Sequence, residues 1–339
     1  MDCEAIVVDA MKPLKIAKRP ASKTPKQGLV KKTCMKAAAQ PTTTVAMKAA
    51  MKATKASSSS AIPKHTMGSD CTGYNAAGLA MEAIGVPYED VFASDISAPV
   101  RAVLRENFSI KEVFADCTTR ATPAAAADFY TAGFPCQPYS SMGKNKGKTD
   151  PRGSRIVDSI LEHIRTRRPT AFVLENVTGL VHRNRRWFDQ IINELQHVRH
   201  KGKAVYKIYW DIVDSRDFGL AQSRRRVLII GISEGNMVKD FTWPSTKPMQ
   251  PLSSFLEPRL DKVEFHIPVN SASKMSNLVM CIEKIKQKGG KLGCEMFPWV
   301  ADLGPSAKRG PLLNLGYFPC ITAARAKGDN YYLFHRGRF

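Results

Sequence analysis

A cysteine in a short, stiffened turn is the residue of this sequence best placed to act as a nucleophile. Residues 132–147 read AGFPCQPYSSMGKNKG, with Cys136 closely flanked by two prolines. Proline restricts the backbone of such a turn, and Gly133 lets another molecule approach it closely. The lysines that follow favour the thiolate form of a cysteine, which is the nucleophilic form. The alternative is that Cys136 is a small buried apolar residue, as most free cysteines are.

Three acidic side chains stand at the ends of short apolar runs. Asp95 follows DVFAS, Asp116 ends EVFAD, and Glu175 lies in AFVLEN. If these runs are parallel strands, their carboxyl ends meet the turn of Cys136 at one edge of a sheet, where open α/β folds bind ligands. Any one of these acids could instead cap the helix that follows it. The sequence therefore predicts three acids and a thiol along one rim.

The elements that would position these residues alternate between strands and helices from Gly68 onward. The predicted strands are DVFAS, EVFAD, DFYTAG, AFVLEN, YKIYWDIV and RVLIIGI, and the predicted helices are AGLAMEAIG, APVRAVLRENF, RIVDSILEHIRTR and RRWFDQIINELQHVR. Ile156, Ile160 and Ile164 recur at helical spacing and predict one buried face. The upstream stretch SSSSAIPKHTMGS makes a poor strand. The pattern predicts an α/β fold with a Rossmann-like, mostly parallel sheet and helices on both faces.

Four motifs give the chain a resemblance to the DNA (cytosine-5) methyltransferases. GFPCQPYS resembles the family's catalytic Pro-Cys-Gln motif, and DPRGSR resembles the segment that follows it. LENVTGL is similar to the Glu-Asn-Val motif, and FGLAQSRRRVLIIGI to the Gln-x-Arg-x-Arg motif. The resemblance runs from about Gly68 to Ile232 and weakly again from Gly316 to Phe339. It implies the class I methyltransferase fold with a small target-recognition region.

The resemblance also implies a covalent mechanism, in which Cys136 adds to carbon 6 of cytosine before carbon 5 takes a methyl group. Glu175 would protonate or hydrogen-bond N3 of the base. Arg224 and Arg226 would hold that acid and the O2 atom of the base, and Asn176 would support the loop of the nucleophile. The alternative is that the arginines contact phosphate or begin a solvated strand.

The methyl donor implied by the resemblance is S-adenosylmethionine, and we assign Gly73, Asp95, Asp116 and Gly133 to its site. The loop of Gly73 would lie near the methionine moiety, Asp95 at the ribose hydroxyls and Asp116 at the adenine amino group. An acid about twenty residues after a glycine loop also occurs in nicotinamide-binding folds. The chain lacks their G-x-G-x-x-G signature, and its Pro-Cys-Gln motif favours the methyl donor.

Composition and resemblance together divide the chain into four parts. We expect residues 1–66 to form a disordered basic arm, because they hold few aromatic residues and cannot bury enough apolar surface to offset the entropy of ordering. The resemblance implies a catalytic domain over residues 67–232, a target-recognition region over 233–314 and a partial return segment over 315–339. The family's last motifs lie beyond this point, so we expect the chain to be truncated at its C-terminus.

The charge of the chain indicates a polyanionic partner. The formal net charge is +21; the first 66 residues hold 13 Lys or Arg against three acids, and the other 38 basic and 27 acidic residues keep an excess of 11. Nucleic acid is the commonest polyanion inside cells. The resemblance implies double-stranded DNA, with the target base flipped out beneath a lid formed by residues 140–148.

The basic arm is expected to contact nucleic acid or to serve as a nuclear address. Organelle targeting peptides and solubilising tails have similar compositions, so an organelle is the alternative location. The sequence has no apolar run long enough to span a membrane. Its eight cysteines include no CxxC pair, and we therefore expect free thiols and no metal.

Two other functions stay open from the sequence. The first is a cytosine-5 methyltransferase of the related tRNA-acting subfamily. Against it, Phe134 precedes Pro135 where that subfamily has a second proline, and the Cys-Phe-Thr signature is absent. The second is a catalytically inactive DNA-binding relative, because the first loop, GSDCTGYNAAGLA, replaces the usual Asp-Leu-Phe-x-Gly-x-Gly-Gly and sets Cys71 near the place of its aromatic residue.

Overall fold

The structure is a computed structural model that describes residues 64–120, 123–135, 151–255, 271–289, 299–304, 310–321 and 331–334, without the side chains of 151–153 and 331–334. These residues all belong to one compact unit that begins at Pro63. Three predictions lie outside the described residues: the basic arm up to residue 63, the nucleophile Cys136 and the lid at 140–148.

Strands and helices alternate along the first two thirds of the described chain. The strands are β1 (His65–Asp70), β2 (Tyr88–Ser94), β3 (Val113–Phe114), β4 (Phe129–Ala132), β5 (Ala171–Val177), β6 (Arg199–His200), β7 (Lys203–Ala204), β8 (Tyr206–Asp214), β9 (Arg225–Ser233), β10 (Trp299–Asp302), β11 (Leu312–Leu315) and β12 (Tyr331–Phe334). The α-helices are α1 (Ala76–Ala83), α2 (Ala98–Asn107), α3 (Pro151–Arg167), α4 (Gly179–His182), α5 (Arg185–Gln196) and α6 (Ala272–Gln287). Short 3-10 helices cover Ser215–Asp217, Glu234–Asn236 and Leu252–Phe255.

The main sheet has seven strands in the order β3-β2-β1-β4-β5-β9-β8. Pairing is parallel from β3 through β2, β1 and β4 to β5, whereas β9 is antiparallel to both β5 and β8. Because parallel crossovers are right-handed, the reversal of strand order at β1 sends the connecting helices to opposite faces of the sheet. The predicted mostly parallel α/β fold is confirmed.

The central strand β1 is one of the elements that the sequence did not predict, and the expectation of a poor strand there was wrong. Its last four residues, Met67–Asp70, are all buried although three of them are not apolar. A Cβ at Gly68 would stand 2.0 Å from the ring of Phe92, so the neighbouring side chain fills the place of the missing one. At the end of the strand, buried hydrogen bonds to Asp70 stabilise β1 where apolar packing is absent.

The predicted apolar stripe of α3 packs into the main core. Ile160 and Ile164 are fully buried, and Ile156 is partly buried against the same cluster. Val157 and Leu161 widen the stripe, because each lies one position along from a predicted residue and faces the same side. The predicted buried face is confirmed.

A second, three-stranded sheet follows in the order β11-β10-β12, antiparallel throughout. Asn277 in α6 donates a hydrogen bond from Nδ2 to the carbonyl of Leu303, 2.9 Å away, and so ties this helix to the end of β10. The four-part domain division stays a prediction. None of the helices in the described ranges combines the length and apolar composition that crossing a bilayer requires.

Candidate functional site

The reversal of strand order between β1 and β4 brings predicted site residues to one edge of the sheet. β1 ends at Asp70 beside Ala132 of β4, and Ala132 pairs with Leu174 of β5. Glu175 therefore lies next to Gly133, and a Cβ on Gly133 would stand 3.6 Å from Glu175 Oε2. This edge is where open α/β sheets bind ligands.

Glu175 forms an ion pair with Arg226 at this edge. Arg226 Nε lies 2.8 Å from Glu175 Oε1, and Arg224 Nη2 lies 3.7 Å from the same oxygen. The antiparallel register sets Arg226 opposite Val177, which makes Arg226 a diagonal neighbour of Glu175 on one face. The Glu175 side chain keeps 33% of its surface exposed, so a ligand can reach the carboxyl group. The structure thus brings together the three predicted catalytic residues that it describes.

Asp214, which sequence reasoning missed, anchors the turn that presents the arginines. Its Oδ1 accepts hydrogen bonds from the backbone N–H groups of Arg224 (3.0 Å) and Arg216 (3.2 Å), and its Oδ2 accepts one from the Ser223 hydroxyl (2.9 Å). Burial alone would raise the pKa of Asp214, but the hydrogen bonds from Arg216, Ser223 and Arg224 outweigh burial and lower it. An acid at the end of a strand, eight residues before Gln222 of the motif, was the signal available in the sequence.

Asn176 is buried and holds the backbone that leads into the nucleophile turn. Its Nδ2 donates to the carbonyl of Phe134, 3.1 Å away, and its Oδ1 accepts from the N–H of Val177 at 2.8 Å. Phe134 lies two residues before Cys136. This geometry fits the loop-supporting role predicted for Asn176. The distance between the Cys136 and Glu175 side chains involves a residue outside the described ranges, and their convergence stays a prediction.

The loop after β1 is tied to the end of β2 through Asp95. Its Oδ2 accepts from the N–H of Gly73 (3.0 Å), and its Oδ1 accepts from the N–H of Ser97 (2.9 Å). Gly73 has a φ of 58°, a conformation that favours glycine, and a Cβ placed there would meet no atom within 4 Å. The predicted donor residues Gly73 and Asp95 are therefore in direct contact beside open space.

Asp116, the third predicted donor residue, is fixed by its neighbour. Its Oδ1 accepts from the N–H and the hydroxyl of Thr118, at 2.7 and 2.8 Å. The adjacent Cys117 shares a side-chain hydrogen bond with Cys71, and this bond together with burial raises the pKa of the Cys71 thiol. The segment after β3 therefore reaches the loop after β1, and Asp116 lies along the same edge as Gly73.

A buried polar network beneath the first loop was also missed. Asp70 is fully buried; its Oδ1 accepts from Arg120 and from the Ser94 hydroxyl (2.6 Å), and its Oδ2 accepts from the Tyr130 hydroxyl (2.7 Å). The Arg120 guanidinium also lies 5.3 Å from the centre of the Phe92 ring. These contacts fix the end of β1 from which the loop departs. Among the described residues, no group of three or more His, Cys, Asp or Glu could hold a metal ion.

Comparisons with known proteins agree with this arrangement. A family profile described as C-5 cytosine-specific DNA methylase matches residues 69–289. The Type II methyltransferase M.HgiCII of Herpetosiphon aurantiacus is 35% identical over 170 residues, which are 49% of this chain and 37% of that protein. M.HpaII of Haemophilus parainfluenzae is 29% identical over 226 residues, 65% of this chain and 60% of that protein. The chain thus spans less than two thirds of the length of these curated relatives.

A solved structure is similar at lower identity. It is a crystal structure of a DNMT2 mutant from Spodoptera frugiperda, with a TM-score of 0.49 and 18% identity over 64% of this chain and 66% of that one. The strand order and the edge described above define an α/β protein of the class I methyltransferase type. The profile match covers more than half of the sequence, and the chain belongs to the C-5 cytosine-specific DNA methylase family.

Proposed function

We propose that this protein transfers a methyl group from S-adenosylmethionine to carbon 5 of cytosine in double-stranded DNA. The contact between Glu175 and Arg226 carries the proposal, because it holds an accessible carboxyl group in a fixed direction at the ligand-binding edge of the sheet. Membership of the family supports the type of reaction.

Carbon 5 of cytosine is a poor nucleophile, and Cys136 is proposed to activate it. The thiolate forms a bond to carbon 6, and the electrons of the C5–C6 double bond move toward carbon 5. Glu175 in its protonated form donates that proton or a hydrogen bond to N3 and stabilises the charge that the ring gains. When bound, S-adenosylmethionine supplies the methyl group to carbon 5. Loss of the C5 proton to water and of the Cys136 sulfur from carbon 6 restores the aromatic ring.

The arginines are proposed to orient the acid and the base. Arg226 contacts only one oxygen of Glu175, Oε1, which leaves Oε2 available for the ring. Arg224 lies at the longer distance of 3.7 Å from the same oxygen, and its side chain is nearly half exposed, so its guanidinium group is accessible to O2 of a bound cytosine. A guanidinium suits this task because it presents several donors in one rigid plane.

The residues at the loop after β1 fit a nucleoside donor. Each carboxylate oxygen of Asp95 accepts one backbone N–H and keeps acceptor capacity for a ribose hydroxyl. The space beside Gly73 is open, and Gly133 lies between Glu175 and the carbonyl of Cys71, where a larger side chain would separate the donor from the base. We propose Gly73, Asp95, Asp116 and Gly133 as the donor site.

Double-stranded DNA is the proposed partner, and the nucleus the proposed location. Fifty-one basic residues against 30 acids favour binding to a phosphate backbone. Reaction at carbon 5 requires the base to leave the stack, so the proposal includes base flipping. The basic arm is proposed to add non-specific contacts to phosphate.

The test is methyl transfer by the full chain from labelled S-adenosylmethionine to duplex DNA and, side by side, to tRNA. We expect label on cytosine of the duplex, none with Cys136→Ser, and full label with the matched control Cys34→Ser in the arm. Label on tRNA alone would replace the proposal with the RNA-modifying alternative. A folded chain that shows no donor binding by calorimetry and transfers no label, yet binds DNA in a salt-dependent way, would be the inactive relative.

A further inference from the structure

The segment Tyr317–Cys320 is bound to the turn that presents the catalytic arginines. The N–H of Ser223 donates to the carbonyl of Phe318, and the N–H of Phe318 donates to the carbonyl of Ala221, both at 2.8 Å. The two bonds flank Gln222, which forms an isolated parallel bridge with Phe318. A segment nearly a hundred residues away in sequence thus continues the hydrogen bonding of the arginine turn.

A side-chain contact extends this attachment. The Arg216 guanidinium lies 4.6 Å from the centre of the Tyr317 ring, within cation–π range. Arg216 is in turn bonded to Asp214, through Nη2 at 3.1 Å. Asp214 holds the turn from within, and the Tyr317–Cys320 segment holds it from the other side.

Cys320 ends this segment directly against both arginines. Its sulfur lies 3.7 Å from Arg224 Nη1 and 3.7 Å from Arg226 Nη2, and both N–H groups donate to it. The thiol is free and partly buried. Sulfur is a weak acceptor, but here one atom receives two charged donors.

The two guanidinium groups use different nitrogens for the sulfur and for the acid. Arg226 donates from Nε to Glu175, from Nη2 to Cys320, and from Nη1 to the carbonyl of Arg225 at 2.8 Å. Every side-chain nitrogen of Arg226 therefore has a partner, and rotation of the guanidinium group would break at least one of these contacts. Arg224 uses only its two terminal nitrogens: Nη2 faces Glu175, and Nη1 donates to the sulfur of Cys320.

We infer that Cys320 is a positioning residue, whose sulfur fixes the two arginines that contact Glu175. The inference rests on the proposed function, because Glu175 and its arginines are the groups that meet the base. Cys320 does not itself react. Its removal frees one side of each guanidinium, and the direction of the Glu175 carboxyl group is then less well defined.

The test compares Cys320→Ala, Cys320→Ser and the neighbouring control Ile321→Ala in the full chain. Ile321 is exposed, so its truncation leaves the arginines alone. We expect Cys320→Ala to slow single-turnover methyl transfer by about tenfold or more, since small misplacements of reacting groups are costly. Cys320→Ser, whose hydroxyl also accepts hydrogen bonds, recovers part of the rate. The KM for DNA and the melting temperature should change little.

A second readout separates this inference from the proposed function. Phenylglyoxal modifies accessible arginines, and peptide mass spectrometry gives the rate at Arg224 and Arg226 whether or not the chain is active. We expect several-fold faster modification in Cys320→Ala than in the wild type or Cys320→Ser. Equal modification rates, or a rate of transfer per folded molecule that the alanine leaves unchanged, would overturn the positioning role. If the wild-type chain is inactive but the arginines are still modified faster in Cys320→Ala, only the proposed function is refuted and the positioning role stands.

Discussion

Glu175 Oε1 and Arg226 Nε lie 2.8 Å apart, across the antiparallel pair that β5 forms with β9. The sheet is otherwise parallel up to β5, so the reversal at β9 is what brings the arginines to the carboxyl edge. The acid lies near the end of β5, and the arginine lies near the start of β9, the neighbouring strand in the sheet. Their contact therefore lies between the proposed S-adenosylmethionine site and the proposed site of the target cytosine.

Arg226→Lys is expected to lower methyl transfer by about a hundredfold, the usual scale for removing one preorganised charged donor. Lysine keeps the charge but cannot donate at once to Glu175, Cys320 and the carbonyl of Arg225. The measurement is the single-turnover rate at saturating DNA. Arg225→Lys is the matched control, because Arg225 is exposed and strand alternation turns it to the opposite face. Equal rates in the two variants would remove Arg226 from the site.

Asp214→Ala is expected to lower the free energy of unfolding by about 2–4 kcal/mol, because it leaves three partly buried donors of the arginine turn without their acceptor. Asp214→Asn keeps one acceptor oxygen and should cost less. Urea denaturation at pH 7 measures both. Asp211→Ala is the control, since Asp211 is an exposed acid on the same strand. A loss no larger than that of the control would show that the turn does not depend on Asp214.

Asp90→Asn is expected to stabilise the protein at pH 8 but not at pH 4. Burial raises the pKa of Asp90 to about 6, against a hydrogen bond from Asn75 that lowers it. Between about pH 4 and pH 6 the folded state holds a proton that the unfolded chain has released, so stability falls as pH rises through this window. The variant has no carboxyl group to ionise, so we expect its free energy of unfolding to exceed that of wild type by about 1–2 kcal/mol at pH 8. Urea denaturation at both pH values measures it, and an equal effect at both would contradict the assignment.

His163→Leu is expected to remove a loss of stability on the acid side. Burial lowers the pKa of His163 to about 4, and its ring packs 4.5 Å from that of Tyr130, centre to centre. Between about pH 6.5 and pH 4 this histidine binds a proton in the unfolded chain but stays neutral in the folded state, so stability falls as pH falls. This slope is opposite to that of Asp90. The gain in unfolding free energy of the variant over wild type should therefore increase as pH falls through this window, and urea denaturation at pH 7 and pH 4 measures it. A gain that is equal at both pH values would contradict the assignment.

The periodic apolar patterns of the sequence correctly predicted several strands and the buried face of α3. The apolar runs of β2, β4, β5, β8 and β9 and the stripe of α3 are visible because burial on a sheet or a helix face imposes a period. β1 carries no such run: its burial depends on the Phe92 ring and on donors to Asp70 that come from three later segments. A single window of sequence does not contain those partners.

The same distinction applies to the site. The motifs supplied Glu175, Arg224 and Arg226, and the structure brings these side chains together. Asp214 and Cys320 were missed, because each acts on the arginines through contacts that depend on how distant segments pack. An acid or a thiol outside a motif has no local feature that marks it as a partner of an arginine.

The most direct test of the account is covalent trapping on duplex DNA that contains 5-fluorocytosine at target positions. Fluorine cannot leave carbon 5 as a cation, so after methyl transfer the bond between sulfur and carbon 6 persists. With S-adenosylmethionine present, the account predicts a denaturation-resistant complex whose cross-linked peptide contains Cys136, and none with Cys136→Ser. A folded, donor-binding chain that forms no complex, or one linked through another cysteine, would contradict it.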